Sequence, residues 1–256
     1  MTTSRPTLHI SDFALEYHLG YFLAINGSGT HNCGFAGKGS ACLSLFELSR
    51  EFNDSKFEDY AFKLLQESLL TNNKSVSFLA GLTGVGYTLC YLINNRFISD
   101  DFEEFFDSKH ELIINSLSLP NAKVTAAELY YFVEYFRLRG KIPSFINQLI
   151  RNSFDSNSLK KSHHTVLMLQ SIIKELNLTG FNHILDVEIE LSNQLQSRFL
   201  SEYNKYPKTA KTEEIINSTL KGYPVSKFRK ISMLLLDLIS ERNNRPKRIE
   251  ELIMIT

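Results

Sequence analysis

His31 and Cys33 stand two positions apart, a spacing that can chelate a metal ion, and no other cysteine has a histidine so near in sequence. A protein zinc site normally takes three or more ligands, so this pair needs a third group, for which His9 or His18 is nearest in sequence. Cys42 and Cys90 fall in apolar helical stretches, where cysteine serves as a small hydrophobe. The adjacent pair His163 and His164 point about 100° apart on a helix and cannot grip one ion together. No metal site is therefore predicted, and no cofactor. The groups left for chemistry in a cavity are His31, Lys38 and Glu128. Glu128 sits among Ala126, Ala127, Leu129 and Tyr130, on a stretch that either lines a cavity or faces solvent. Glu103-Glu104 and Glu213-Glu214 lie near helix starts and fit compensation of the helix dipole better than acid–base catalysis.

Three motifs are excluded by spacing. Gly37-Lys38-Gly39-Ser40 lacks the nucleotide P-loop's leading glycine, since Asn32 stands there, and Gly39 replaces the hydroxyl residue after Lys38. The dinucleotide pattern G-x-G-x-x-G fails at Cys42 in one place and at Leu89 in another. His110-Glu111 opens like a zinc-protease helix, but Ile114 occupies the second histidine position.

The near-misses share one origin, a glycine-rich phrase that occurs twice, 47 positions apart. Gly34 to Leu45 reads GFAGKGSACLSL and Gly81 to Leu92 reads GLTGVGYTLCYL, so Gly34, Gly37 and Gly39 align with Gly81, Gly84 and Gly86. Self-similarity at this period, with helical apolar spacing after each copy, signals stacked helical hairpins. A glycine pair at a helix start lets a neighbouring backbone approach without a Cβ clash, and glycine accepts the angles of a sharp turn. Free N–H groups at the same starts could also hold an anion.

The elements around the phrases are all helical. The spacing predicts helices over residues 11–24, capped by Ser11 or Asp12, then 40–52, 56–70, 84–94, 100–117, 125–138, 143–153, 162–176, 182–200 and 225–242. Residues 26–39 read as one long irregular loop. Residues 84–94 are apolar all round and predict a buried inner helix, as do those after Gly39. The amphipathic stretches from Lys56 and from Asp100 predict outer partners. The fold class is all-α, with no convincing strand, and the chain reads as a single domain over residues 1–256.

Composition narrows function by exclusion. Lys plus Arg and Asp plus Glu both total 28, so no net field draws in nucleic acid or an anionic membrane. Basic residues from Lys221 to Arg248 and acids from Asp100 to Asp107 read as solvated faces. Three cysteines give no disulfide framework and suit a reducing compartment. With no secretory signal and no spanning segment, the expected location is cytoplasmic.

Phe78 to Phe106, FLAGLTGVGYTLCYLINNRFISDDFEEFF, resembles the lanthionine synthetase C-like (LanC-like) family in its GLxGxG start, its Tyr-Leu-Ile inner helix and its acidic outer start. The first phrase with Leu43 to Leu70 is similar to that family's preceding hairpin. Residues 30–117 carry the likeness, while residues 118–256 share only the helical rhythm. The resemblance implies an α/α toroid around a central cavity, here reduced or incomplete because the chain is short for seven hairpins. Active members are zinc enzymes that add cysteine thiols to dehydrated Ser or Thr residues of a precursor peptide. Their zinc is held by two cysteines and one histidine in later hairpins, and this chain has no cysteine after Cys90. Zinc-dependent cyclase activity is therefore not expected. The expected partner is a precursor peptide or a modifying enzyme, with homo- or hetero-oligomers possible. The alternatives are a metal-independent peptide-modifying enzyme and a helical-repeat scaffold outside peptide maturation.

Overall fold

The computed structural model describes residues 10–99, 101–154, 163–181 and 228–242, and the helix expected over residues 182–200 lies outside them. Every regular element among the described residues is helical: α1 (Ile10–Asn26), α2 (Ser40–Phe52), α3 (Ser55–Leu69), α4 (Leu82–Asn94), α5 (Phe102–Leu117), α6 (Ala126–Leu138), α7 (Phe145–Ser153), α8 (His163–Glu175) and α9 (Phe228–Arg242). The all-α class follows. Helix α1 begins at Ile10, so Ser11 and Asp12 lie inside it and do not cap it. The expected loop of residues 26–39 is largely ordered turns, with a short 3-10 turn at Gly27–Gly29 and a π-type turn at Phe35–Gly39.

The chain divides into two compact units. One takes Met1–Leu119, Tyr131–Pro143 and Pro224–Thr256; the other takes Pro120–Tyr130 and Ser144–Tyr223.

In the first unit each repeat is a hairpin with a buried first arm and a half-exposed second arm. Every residue from Ser40 to Leu48 of α2 and from Leu82 to Leu92 of α4 is buried. On α3 only Phe57, Ala61, Leu64, Leu65 and Ser68 are buried, and on α5 only Phe102, Phe106, Ile113 and Leu117. Both outer arms start on an aspartate that accepts a bond from a first-turn N–H: Asp54 Oδ1 from Lys56 at 3.0 Å, and Asp101 Oδ1 from Glu103 at 2.9 Å. Such a cap is worth about 1 kcal/mol. Helix α2 stops at Asn53, which takes the left-handed conformation (φ 50°).

The buried arms run in the same direction, and their C-terminal ends are tied in series. Arg50 Nη2 donates to the Asn95 carbonyl at 2.8 Å, and Asn94 Nδ2 donates to the Leu138 carbonyl at 3.0 Å, which joins α2 to α4 and α4 to α6. Helix α9 returns to the first hairpin through small hydroxyl residues. The Ser40 and Ser232 Oγ atoms lie 2.7 Å apart, and Ser44 Oγ donates to the Ser232 carbonyl at 3.2 Å. Three serines allow close helix approach, and their hydroxyls find partners there.

At their starts the arms interlock through the two glycine phrases. Phe35 N donates to the Phe78 carbonyl at 3.0 Å and Ala36 N to the Leu79 carbonyl at 2.9 Å. A Cβ on Gly34 would stand 2.6 Å from the Gly81 nitrogen, and one on Gly84 would collide with the Phe78 oxygen and the Phe35 nitrogen. None of the six repeated glycines has positive φ; Gly34 and Gly84 supply clearance for a facing backbone, while Gly37 also takes non-helical angles (φ −137°, ψ −117°) where the turn kinks.

The second unit is built on α7, α8 and the first turn of α6. Val124 N donates to Ser153 Oγ at 3.0 Å and Asn152 Nδ2 to the Pro120 carbonyl at 2.8 Å, while Arg151 lies over the Phe181 ring at 5.5 Å.

Gly84→Val should destabilise the protein by about 2 to 4 kcal/mol, because the clash is with backbone that cannot rotate away. Gly29→Ala is the control, since a Cβ there meets nothing within 4 Å, and it should change stability by less than about 1 kcal/mol. Urea denaturation of both variants decides it, and equal midpoints would refute the clearance argument.

Candidate functional site

The three sequence candidates stand in different local settings. His31 is exposed, whereas Cys33 is buried, with its thiol 3.7 Å from the Ala80 carbonyl and 3.5 Å from Asn73 Nδ2. Among the described residues no group of three His, Cys, Asp or Glu side chains could hold a metal ion. Lys38 pairs with Glu67 at 2.6 Å, and Ser28 Oγ donates to the other oxygen of that carboxylate at 3.0 Å. Burial pushes the Glu67 carboxyl up, but its bonds from Lys38 and Ser28 and the Lys38 and Lys63 charges outweigh it and hold it below the ordinary value.

Glu128 belongs to the second unit and caps α6. Its Oε2 accepts from Thr125 N at 3.2 Å, while Glu128 N donates to Thr125 Oγ1 at 3.2 Å. This reciprocal pair is a capping box, and Thr-x-x-Glu was its sequence signature.

The glycine phrases offer little to an anion. All six N–H groups from Gly34 to Gly39 are taken, by Asn32 Oδ1, Phe78 O, Leu79 O, Gly34 O, Asn32 O and Gly34 O in turn. In the second phrase Gly81 N and Leu82 N are bonded to the carbonyls of Ser77 and Ser75. In the first phrase the expectation of free donors is corrected accordingly.

The opposite ends of the same buried helices carry the polar chemistry. Glu47 on α2 is 4% exposed, and its Oε1 accepts from the Tyr91 hydroxyl of α4 at 2.8 Å. Glu134 on α6 is 6% exposed and accepts from Arg137 Nη1 at 2.9 Å. Glu47 precedes Arg50 by three residues, Tyr91 precedes Asn94 by three, and Glu134 precedes Leu138 by four. Arg50, Asn94 and Leu138 are the residues that tie the helix ends together, so Glu47, Tyr91 and Glu134 occupy one level, a helical turn inward. A buried carboxylate costs several kcal/mol unless hydrogen-bonded. Near a helix C-terminus the dipole adds to that penalty. These bonded groups, at corresponding positions on three buried helices, make up a polar layer. Sequence reading passed over both acids. The available signal was an isolated glutamate inside an apolar run, Phe46-Glu47-Leu48 and Val133-Glu134-Tyr135.

A second cluster joins α4, α5 and α6. His110 Nδ1 and the Tyr135 hydroxyl lie 2.7 Å apart, Arg139 pairs with Glu103 at 2.7 Å, and the Arg139 guanidinium covers the Phe102 ring at 3.9 Å. Burial holds the Cys90 thiol up to about 12 and also raises Cys42, so both stay protonated near neutral pH.

No family model, curated protein or solved structure matches the chain.

Tyr91→Phe should cost about 1 to 3 kcal/mol, since the buried Glu47 carboxylate loses a donor. Chemical denaturation near neutral pH measures it, and a loss below about 0.5 kcal/mol would show that this bond contributes little to the layer.

Proposed function

We propose that the chain is a LanC-like protein without the cyclase zinc site, which binds a precursor peptide, or the enzyme that modifies it, in ribosomal-peptide biosynthesis of the lanthipeptide type. The observation that carries this reading is the interlock of the two glycine phrases at the starts of parallel buried helices. Hairpins whose first arms run parallel and inward, and whose second arms lie outside, are the units from which an α/α toroid is made. Helix α9 packing back onto α2 is consistent with a reduced ring. The polar layer of Glu47, Tyr91 and Glu134 supplies groups that suit a peptide, whose backbone amides and side-chain donors need acceptors in an otherwise apolar wall.

The residues present do not fit the zinc of active relatives. A cysteine binds zinc as its thiolate, and burial holds the Cys42 and Cys90 thiols in the protonated form. Cys42 Sγ is spent on the Ala61 carbonyl at 3.4 Å. The reading is therefore one of recognition, and no bond-forming step is assigned.

The test is calorimetric titration of the full chain with a short precursor peptide encoded beside it, in the presence and absence of a chelator. Binding in the micromolar range, indifferent to the chelator and weakened about tenfold or more by Glu47→Gln, is the expected result. Absence of binding to both the peptide and its neighbouring modifying enzyme would sink the reading. One zinc per chain by elemental analysis, lost in Cys33→Ser, would return the protein to the metalloenzymes.

A further inference from the structure

Where α4, α5 and α6 meet, one hydrogen bond links a half-exposed outer helix to a fully buried phenol. Tyr135 is 0% exposed, and His110 Nδ1 is the partner of its hydroxyl, at 2.7 Å. Gly86 of the second phrase makes room for this contact, since a Cβ there would lie 2.7 Å from the Phe106 ring and 2.8 Å from the Tyr135 ring. The imidazole is also held edge-on by Phe102, Tyr135 and Phe136, at centroid distances of 6.0, 5.8 and 6.1 Å.

We propose that this bond is a proton-controlled latch: neutral His110 seats α5 on α4 and α6, and protonation of His110 releases the outer arm of the second hairpin.

The argument is one of hydrogen count. A buried phenol hydrogen needs an acceptor. Neutral His110 provides one if Nδ1 is bare and Nε2 carries the proton, and the geometry assigns that tautomer. Protonation places a hydrogen on Nδ1, so the imidazolium can only donate, and the Tyr135 hydrogen is left without its acceptor in the core. The charges around the ring favour the same outcome. From α6 the imidazole faces Tyr135 and Arg139, whose positive charge opposes a second cation. From α5 itself Asp107, Glu103 and Glu111 pull the other way. Glu103 is bound to Arg139, and Asp107 and Glu111 are exposed and screened by water. Burial first, and Arg139 second, hold His110 below its ordinary value. The unfolded chain therefore binds the proton more readily. The latch is fully closed above the ordinary histidine value of about 6.5 and is lost as pH falls below it.

Hydrogen exchange of the full chain tests this, with rates corrected for intrinsic pH dependence and α3 as the internal reference. In the wild type, protection of α5 relative to α3 should fall on going from about pH 7.5 to about pH 5, approaching tenfold per pH unit between the ordinary histidine value and the lowered folded value and levelling off below it. His110→Gln keeps an acceptor for the phenol but cannot take up the proton, and its α5 protection should not change over that range. Tyr135→Phe removes the stranded hydrogen and should reduce the pH dependence. Wild-type α5 protection that is flat with pH, or an acid loss of the same size in His110→Gln, would overturn the proposal. Should either variant fail to fold, the NMR titration of the wild-type His110 ring decides alone. A ring that protonates fully while α5 stays protected would also overturn it.

Discussion

Two stretches of backbone cannot occupy one another's space, and in this protein they come as close as hydrogen bonding allows. The loop before α2 lies on the loop before α4 with Phe35 N bonded to Phe78 O and Ala36 N to Leu79 O, and glycine at positions 34 and 84 is what permits it. Much else follows from that contact. It fixes the two helix starts side by side, so α2 and α4 leave in the same direction, and it uses the N–H groups that a ligand could otherwise have claimed. With the starts fixed, the ends are brought together as well, and Arg50 reaches Asn95. The same phrase then positions Gly86 under Tyr135, so the third buried helix is seated by the second phrase, much as the second is seated against the first.

This explains which parts of the fold could be read from sequence. The glycine phrases and the helical periodicity are local signals, and the hairpins they predicted are present with boundaries shifted by one or two residues. The repeat in fact extends further than the glycines. Asp54 and Asp101, the caps of α3 and α5, stand at the same 47-residue offset and mark the start of each outer arm. These caps and the Thr125–Glu128 capping box are local, since a cap and its N–H lie within a few residues, yet from sequence Glu128 reads as a cavity or surface residue. Residue type alone could not separate the glycines' two uses, freedom of backbone angle and absence of a Cβ. That distinction depends on what faces them.

The candidate site was poorly legible for a related reason. Glu47 meets Tyr91 across 44 residues of chain, and Ser40 meets Ser232 across 192. Periodicity says that Glu47 lies on an apolar helix but cannot say what faces it, and an isolated acid on such a helix reads as an edge residue. His31 and Lys38 drew notice because polar residues stand out beside glycine. In the structure one faces solvent and the other is bound to Glu67, and the buried acids Glu47 and Glu134 lie toward the C-terminal ends of their helices.

That separation has a consequence for how the unit can move. At the glycine end, contacts are backbone to backbone and leave no slack, so movement there would break several hydrogen bonds together. At the other end the helices are joined by single side-chain bonds from Arg50, Asn94 and Tyr91, which can exchange with water or with another acceptor one at a time. The outer arms differ in one respect: each has an apolar face and an ion pair, Lys38–Glu67 on α3 and Arg139–Glu103 beside α5, but α5 adds the titratable bond between His110 and Tyr135. Local opening follows the weakest set of contacts. A rigid glycine seam with looser polar ends thus confines adjustment to the ends where Arg50, Asn94 and Tyr91 make their bonds, and leaves undisturbed the seam that holds the hairpins together.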